Sequence, residues 1–106
     1  MSGLTILIIS ADRERGHAAL LTALAAAALG TSVRMFFQGH SVRLLQPGAE
    51  LTPLLAETKA AGVKLVACQT GLADARVPFD ALIEGVEPGG LVSMLADGPH
   101  DRLLAF

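Results

Sequence analysis

Val63-Lys64-Leu65-Val66-Ala67-Cys68, followed by Gln69-Thr70-Gly71, decides how the rest of the chain is read. A short apolar run bounded by turn residues reads as a buried strand. If that strand is parallel to its neighbours, Cys68 stands at its C-terminal end, where open α/β sheets place their binding crevice. Cys68 is the only cysteine of the chain. One cysteine forms no intrachain disulfide and is too few for a cysteine-only zinc site, so the residue is a free thiol. Free thiols are more often packing residues than reactive ones. The place at the end of the strand is what argues for function.

Working outward, the chain alternates strands with crossover-length helices. Leu4-Thr5-Ile6-Leu7-Ile8-Ile9 is nearly continuous apolar sequence, as expected of a strand covered on both faces. Ser10 or Asp12 can cap the next helix, from about Arg13 to Leu29, and Gly30 suits the left-handed residue that ends it. Ser32 to Phe37 makes the second strand, Gln38-Gly39-His40-Ser41 turns the chain, and Ser41 to Leu45 forms a short helical turn. Thr52-Pro53 starts a helix that stops at Gly62, since proline in the first turn wastes no donor. Beyond Cys68 the rhythm shortens. Pro78 to Ile83 reads as one or two helical turns closed near Gly85. Val86 begins a very short strand cut off by Pro88. Gly89 to Leu95 is helical, and Arg102 to Phe106 is a last strand. The fold class is α/β: a single domain over residues 1–106, a three-layer α/β/α sandwich around a four- to five-stranded, mostly parallel open sheet.

Composition narrows the function classes. The 106 residues carry eight basic and ten acidic side chains, a formal charge of −2, with no basic stripe and neither Trp nor Tyr. That is a poor footprint for nucleic acid, whose recognition draws on cationic patches and stacking aromatics. The longest apolar stretch, Ala18 to Leu29, is too short and too weakly hydrophobic to span a bilayer, and Met1-Ser2-Gly3-Leu4 lacks the pattern of a signal peptide. We therefore expect a soluble cytoplasmic protein with neither nucleic-acid nor membrane partners, in a reducing compartment where one thiol stays free. The same Ala18–Leu29 segment has no charged face for solvent. Alanine is simply the best helix former, yet a surface helix should show a polar half. A contact with another subunit explains its absence, and with it the mean hydropathy of +0.54.

Several chemistries are missing. There is no Gly-x-Gly-x-x-Gly after the first strand, no Gly-x-x-x-x-Gly-Lys-Ser/Thr, no i,i+4 histidine pair, no Gly-x-Ser-x-Gly and no Cys-x-x-Cys. Neither a cofactor nor a metal is implied. The parallel arrangement brings the loops after strands one, two and three to one edge of the sheet, which makes His40, and less directly Ser10 and Asp12, candidates for the surroundings of Cys68. The competing reading of His40 is an exposed imidazole without a task. Gln69, Thr70 and Gly71 offer backbone N–H groups or a hydroxyl that stabilise a thiolate.

The first strand leading into Asp12-Arg13-Glu14-Arg15, the Ala-rich helix ending at Gly30, the strand Val33 to Phe37, Gly39 and the turn Ser41 to Leu45 follow one another in a distinctive order. Gly62 to Cys68, Leu82-Ile83-Glu84-Gly85-Val86-Glu87 and Gly90-Leu91-Val92 complete it. In that order and spacing the chain resembles the DsrE/DsrF-like proteins over nearly its whole length. The resemblance implies an open three-layer α/β fold that assembles into trimers, hexamers or mixed hexamers. In the sulfur-relay members a cysteine after the third strand carries sulfur as a persulfide, and Cys68 matches that position. With no second cysteine to resolve a persulfide, transfer requires an external thiol or a sulfur-relay partner. Two readings follow: a sulfur carrier acting through Cys68, or a non-enzymatic oligomeric protein that binds a small ligand or another protein, with Cys68 as a pocket residue. A third, nucleotide or phosphate binding at the first helix's N-terminus, has the free amides and the helix dipole behind it but no Gly-rich cradle.

Overall fold

The computed structural model describes residues 3–106. Five strands form one sheet: β1 (Leu4–Ile8), β2 (Val33–Phe37), β3 (Lys64–Cys68), β4 (Glu87–Gly89) and β5 (Arg102–Ala105). Their order is β4-β3-β2-β1-β5, and every neighbouring pair is parallel. The helices are α1 (Arg13–Ala28), α2 (Thr52–Ala60), α3 (Gln69–Ala75) and α4 (Leu91–Asp97), with 3-10 turns at Gly39–Leu45 and Phe79–Ala81.

The order of the strands explains the layers. From β1 to β4 the chain steps across the sheet in one direction, so right-handed crossovers put the intervening helices on one face. Residues of α1, α2, α3 and the 39–45 turn accordingly share a core with Leu4, Ile6, Ile8, Val33, Met35, Phe37, Leu65 and Ala67. The chain then travels back past β1 to reach β5, and the same handedness sends α4 to the opposite face. There Met94 packs on Phe36 and Val66, a second and much smaller core. The result is a three-layer sandwich with unequal outer layers.

Local chemistry sets the element ends. Asp12 caps α1, its carboxylate accepting from the amides of Glu14 at 2.8 Å and Arg15 at 3.1 Å. Gly30 takes φ +84° after it, with Gly30 and Thr31 donating back to Ala27 and Ala26. Pro88 does not cut β4 off, as the sequence suggested. It lies inside the strand, opposite Ala67, and is tolerated because β4 is an edge strand, where a missing donor leaves no ladder bond unmade. At the opposite edge β5 is exposed along its length. A network at its start fixes its register: Arg34 Nη2 donates to Thr5 Oγ1 at 2.8 Å, Thr5 Oγ1 to Asp101 Oδ2 at 2.8 Å, and the Gly3 amide to Asp101 Oδ1 at 2.9 Å.

Candidate functional site

Cys68 is the last residue of β3 and at once the N-cap of α3, with φ −67° and ψ 123°. No loop separates strand from helix. Gln69, Thr70 and Gly71, read from sequence as a polar turn, are the first turn of that helix. The Gly71 amide donates to Cys68 Sγ at 3.4 Å, as the side chain of an N-cap residue accepts from the third helical amide. Gln69 and Thr70 are exposed, Gly71 is buried, and Cys68 is partly buried.

Strand alternation sends the sulfur to the thin face. Leu65 and Ala67 point into the main core, while Val66 and Cys68 point the other way, with Cys68 packed beside Phe36, Val66 and Met94. The register pairs Cys68 with Gly89 of β4. At this rung the chain leaves β3 toward one face, as α3, and leaves β4 toward the other, as α4. This divergence opens a gap beside Cys68 at the carboxyl ends of the strands, the edge of the sheet at which open α/β folds bind their ligands. A Cβ on Gly89 would lie 2.7 Å from Val66 Cγ1, so glycine there lets β4 close on β3 while adding no side chain beside the sulfur. A cavity of about 110 Å³ on the same face runs one rung below Cys68, between Val66, Gly89 and Met94, toward Arg34 and Lys64.

Of the other residues expected at this edge, His40 is exposed in the 39–45 turn. That turn packs on α3 through Gly39: a Cβ on Gly71 would lie 2.8 Å from both the amide nitrogen and the carbonyl oxygen of Gly39. Arg43 Nη2 adds a bond to the Ala75 carbonyl at 3.4 Å. The structure therefore brings the backbone beside His40 to the backbone that addresses the sulfur, while the group that reaches Sγ is the Gly71 amide. Ser10 and Asp12 serve the start of α1. Ser10 Oγ accepts from the Asp12 amide at 3.2 Å, and the Asp12 carboxylate occupies two amides of the first turn. That occupancy takes up two of the donors on which the phosphate reading depended. Sequence reasoning missed Phe36, Gly89 and Met94 around the sulfur. Gly89 was read from sequence as the start of the helix Gly89 to Leu95, whereas it ends β4, and Met94 became visible only once α4 crossed to the thin face. Among the described residues no three His, Cys, Asp or Glu side chains converge as a metal-binding group.

The DsrE/DsrF-like family model matches residues 3–103 of the chain. Among solved structures, the YchN protein of Escherichia coli superposes with a TM-score of 0.88 at 22% identity, over 100% of both chains. A protein of unknown function from Methanobacterium thermoautotrophicum, MTH1491, gives 0.85 at 20% identity, again over 100% of both. A conserved protein of unknown function from Bacteroides thetaiotaomicron, BT1422, gives 0.67 at 14% identity over 96% of this chain and 94% of that one. At these identities the likeness is one of fold. No curated protein matches the chain.

Proposed function

The chain belongs to the DsrE/DsrF-like family, and on that footing we propose that it is a sulfur carrier holding one sulfane sulfur on Cys68. The observation that supports this most is the place of Cys68 at the carboxyl end of β3, where the connections of β3 and β4 diverge and its register partner is Gly89. The Cys68 thiolate attacks the outer sulfur of a donor persulfide, a new S–S bond forms, the donor's S–S bond breaks, and the donor leaves as a thiolate. An acceptor thiolate then takes the outer sulfur in the same way and Cys68 is regenerated. Each step is an exchange with no net oxidation. The Gly71 amide, which donates to Sγ at 3.4 Å, solvates the anionic sulfur before attack and after release. With one cysteine in the chain, both donor and acceptor are external thiols, a low-molecular-weight persulfide or a partner protein.

The assembly reading goes with it: a homo-oligomer, by family resemblance a trimer or hexamer. Its support is the outward side of α1 and the residue that caps it, where Leu21 is 48% and Leu29 86% exposed. Among the described residues no helix is long and apolar enough to cross a membrane. The second reading, an oligomeric binding protein with Cys68 as a packing residue, is favoured by the contacts of Cys68 with the Phe36, Val66 and Met94 cluster. The experiment that separates the two is alkylation of the native protein followed by intact mass after exposure to polysulfide. A carrier is alkylated while folded and gains about 32 Da, one sulfur, on Cys68. A packing residue reacts only in denaturant, and a ligand-pocket residue is alkylated but takes up no sulfur.

A further inference from the structure

The cavity of about 110 Å³ below Cys68 has a wall charged with both signs. Arg34, Lys64, Glu87 and Asp97 line it together with the apolar Val66 and Met94. Two cations and two carboxylates leave that wall without net charge. Such a wall is a poor complement to a simple anion such as thiosulfate and a good one to a molecule that carries both charges. Arg34 is free to take part. Among the described residues both its hydrogen bonds, to Thr5 Oγ1 and Asp101 Oδ2, leave through Nη2, so the donors on Nε and Nη1 remain for a ligand. A Cβ on Gly98 would overlap Arg34 Nη2, and glycine there lets the guanidinium lie against the end of α4. Lys64 meets Glu87 at 3.5 Å with both side chains about half exposed. A pair of that kind contributes little, and a ligand's own charges can replace it.

Size and reach narrow the occupant further. A cavity of about 150 Å³ holds benzene, so one of about 110 Å³ takes roughly six non-hydrogen atoms. The ammonium, carboxylate, Cα and Cβ of an α-amino acid are that many, whereas a tripeptide thiol is far too large. Gly89 also lines the cavity and is the register partner of Cys68. A group that passes over Gly89, which has no side chain to block it, therefore lies about 4.8 Å, one strand spacing, from Cys68. The two sulfurs of a persulfide extend about 4 Å beyond Cβ.

We propose that this cavity is the donor subsite of Cys68 and that it takes the persulfide of a small α-amino thiol, of the size of cysteine. Arg34 and Lys64 hold the carboxylate, Glu87 and Asp97 hold the ammonium, and the sulfurs run over Gly89 toward Cys68. The Cys68 thiolate attacks the outer sulfur and the donor's S–S bond breaks. The bonding pair leaves with the inner sulfur as the amino acid thiolate, so no oxidant or reductant is needed. The subsite rests on the sulfur-carrier reading given above and names the donor for it.

Truncated donors test the charges one at a time. Intact mass follows the initial rate at which Cys68 gains about 32 Da from the persulfides of cysteine, cysteamine and 3-mercaptopropionate, and from inorganic polysulfide. Each rate is taken relative to that of the same donor with the urea-unfolded chain. Cysteamine lacks the carboxylate and 3-mercaptopropionate the ammonium. The folded wild type should prefer cysteine persulfide to either by about tenfold, the scale of one hydrogen bond to a charged group. Lys64→Met should erode the preference over cysteamine, and Asp97→Asn the preference over 3-mercaptopropionate. Both side chains are exposed, so neither substitution threatens the fold. A wild type that loads from polysulfide yet treats the three persulfides alike, or a pair of variants that keep the full preference, overturns the subsite and leaves the carrier standing. A protein that loads from none of the four donors overturns the carrier reading, and the subsite falls with it.

Discussion

Gly71 and Gly39 meet backbone to backbone: a Cβ on Gly71 would stand 2.8 Å from both the nitrogen and the carbonyl oxygen of Gly39. The contact locks the first turn of α3, whose amide addresses the Cys68 sulfur, to the turn that leaves β2. Gly71→Ala must push one rigid backbone segment off another and should cost about 1–3 kcal/mol, the range for overpacking. Gly39→Ala is the control. It pays for φ +54°, about 1–2 kcal/mol, but its Cβ meets only the Ile9 carbonyl at 3.8 Å. Urea unfolding should rank Gly71→Ala the more damaging, and Gly71→Ala alone should slow alkylation of Cys68 in the folded state.

Acid should loosen the strand β5. Asp101 is held below its ordinary carboxylate range, first by the Thr5 hydroxyl, then by the Gly3 amide and Arg34, against an upward push from burial. A carboxylate depressed in the folded state contributes stability that is fully present above its unfolded value, about 3.9. That contribution is lost as pH falls through the lower folded value. Asp101→Asn should lower stability near neutrality by about 2 kcal/mol, the scale of hydrogen bonds to a charged group. It should also flatten the decline in stability below pH 4, as measured by urea unfolding across pH. An unchanged acid limb in Asp101→Asn would contradict this account of the network.

Met94 is the one buried residue of α4, 4% exposed between Phe36 and Val66. Met94→Ala should cost about 2–4 kcal/mol, the range for truncating a buried side chain of this size. It should also speed alkylation of Cys68, which shares that packing. Stability lost with no change in thiol reactivity would mean that α4 does not govern access to the sulfur.

Much of the fold was legible because its signals are local. Leu4 to Ile8 is a continuous apolar run, Gly30 and Gly62 follow the helices they end, and Lys64 to Cys68 has turn residues on its C-terminal side, so β1, β3, α1 and α2 stood close to where they were expected. The misreadings fell where a local signal served a non-local contact. Gly71 reads as a turn residue, yet it is a helical glycine required by Gly39 on another loop. Pro88 reads as a strand breaker, yet it sits on an edge, and edge position is a property of the whole sheet. For the same reason sequence could place Cys68 at the end of a strand but not beside the gap between β3 and β4, which exists only because α3 and α4 leave on opposite faces.

The central claim is that Cys68 carries sulfur, and intact mass after exposure of the native protein to polysulfide tests it most directly. The account predicts one adduct of about 32 Da, removed by cyanide or by an acceptor thiol and absent from Cys68→Ser, whose far-ultraviolet circular dichroism and sedimentation match the wild type. A native protein whose Cys68 is alkylated only in denaturant, or whose mass is unchanged by polysulfide while the thiol alkylates freely, would contradict it.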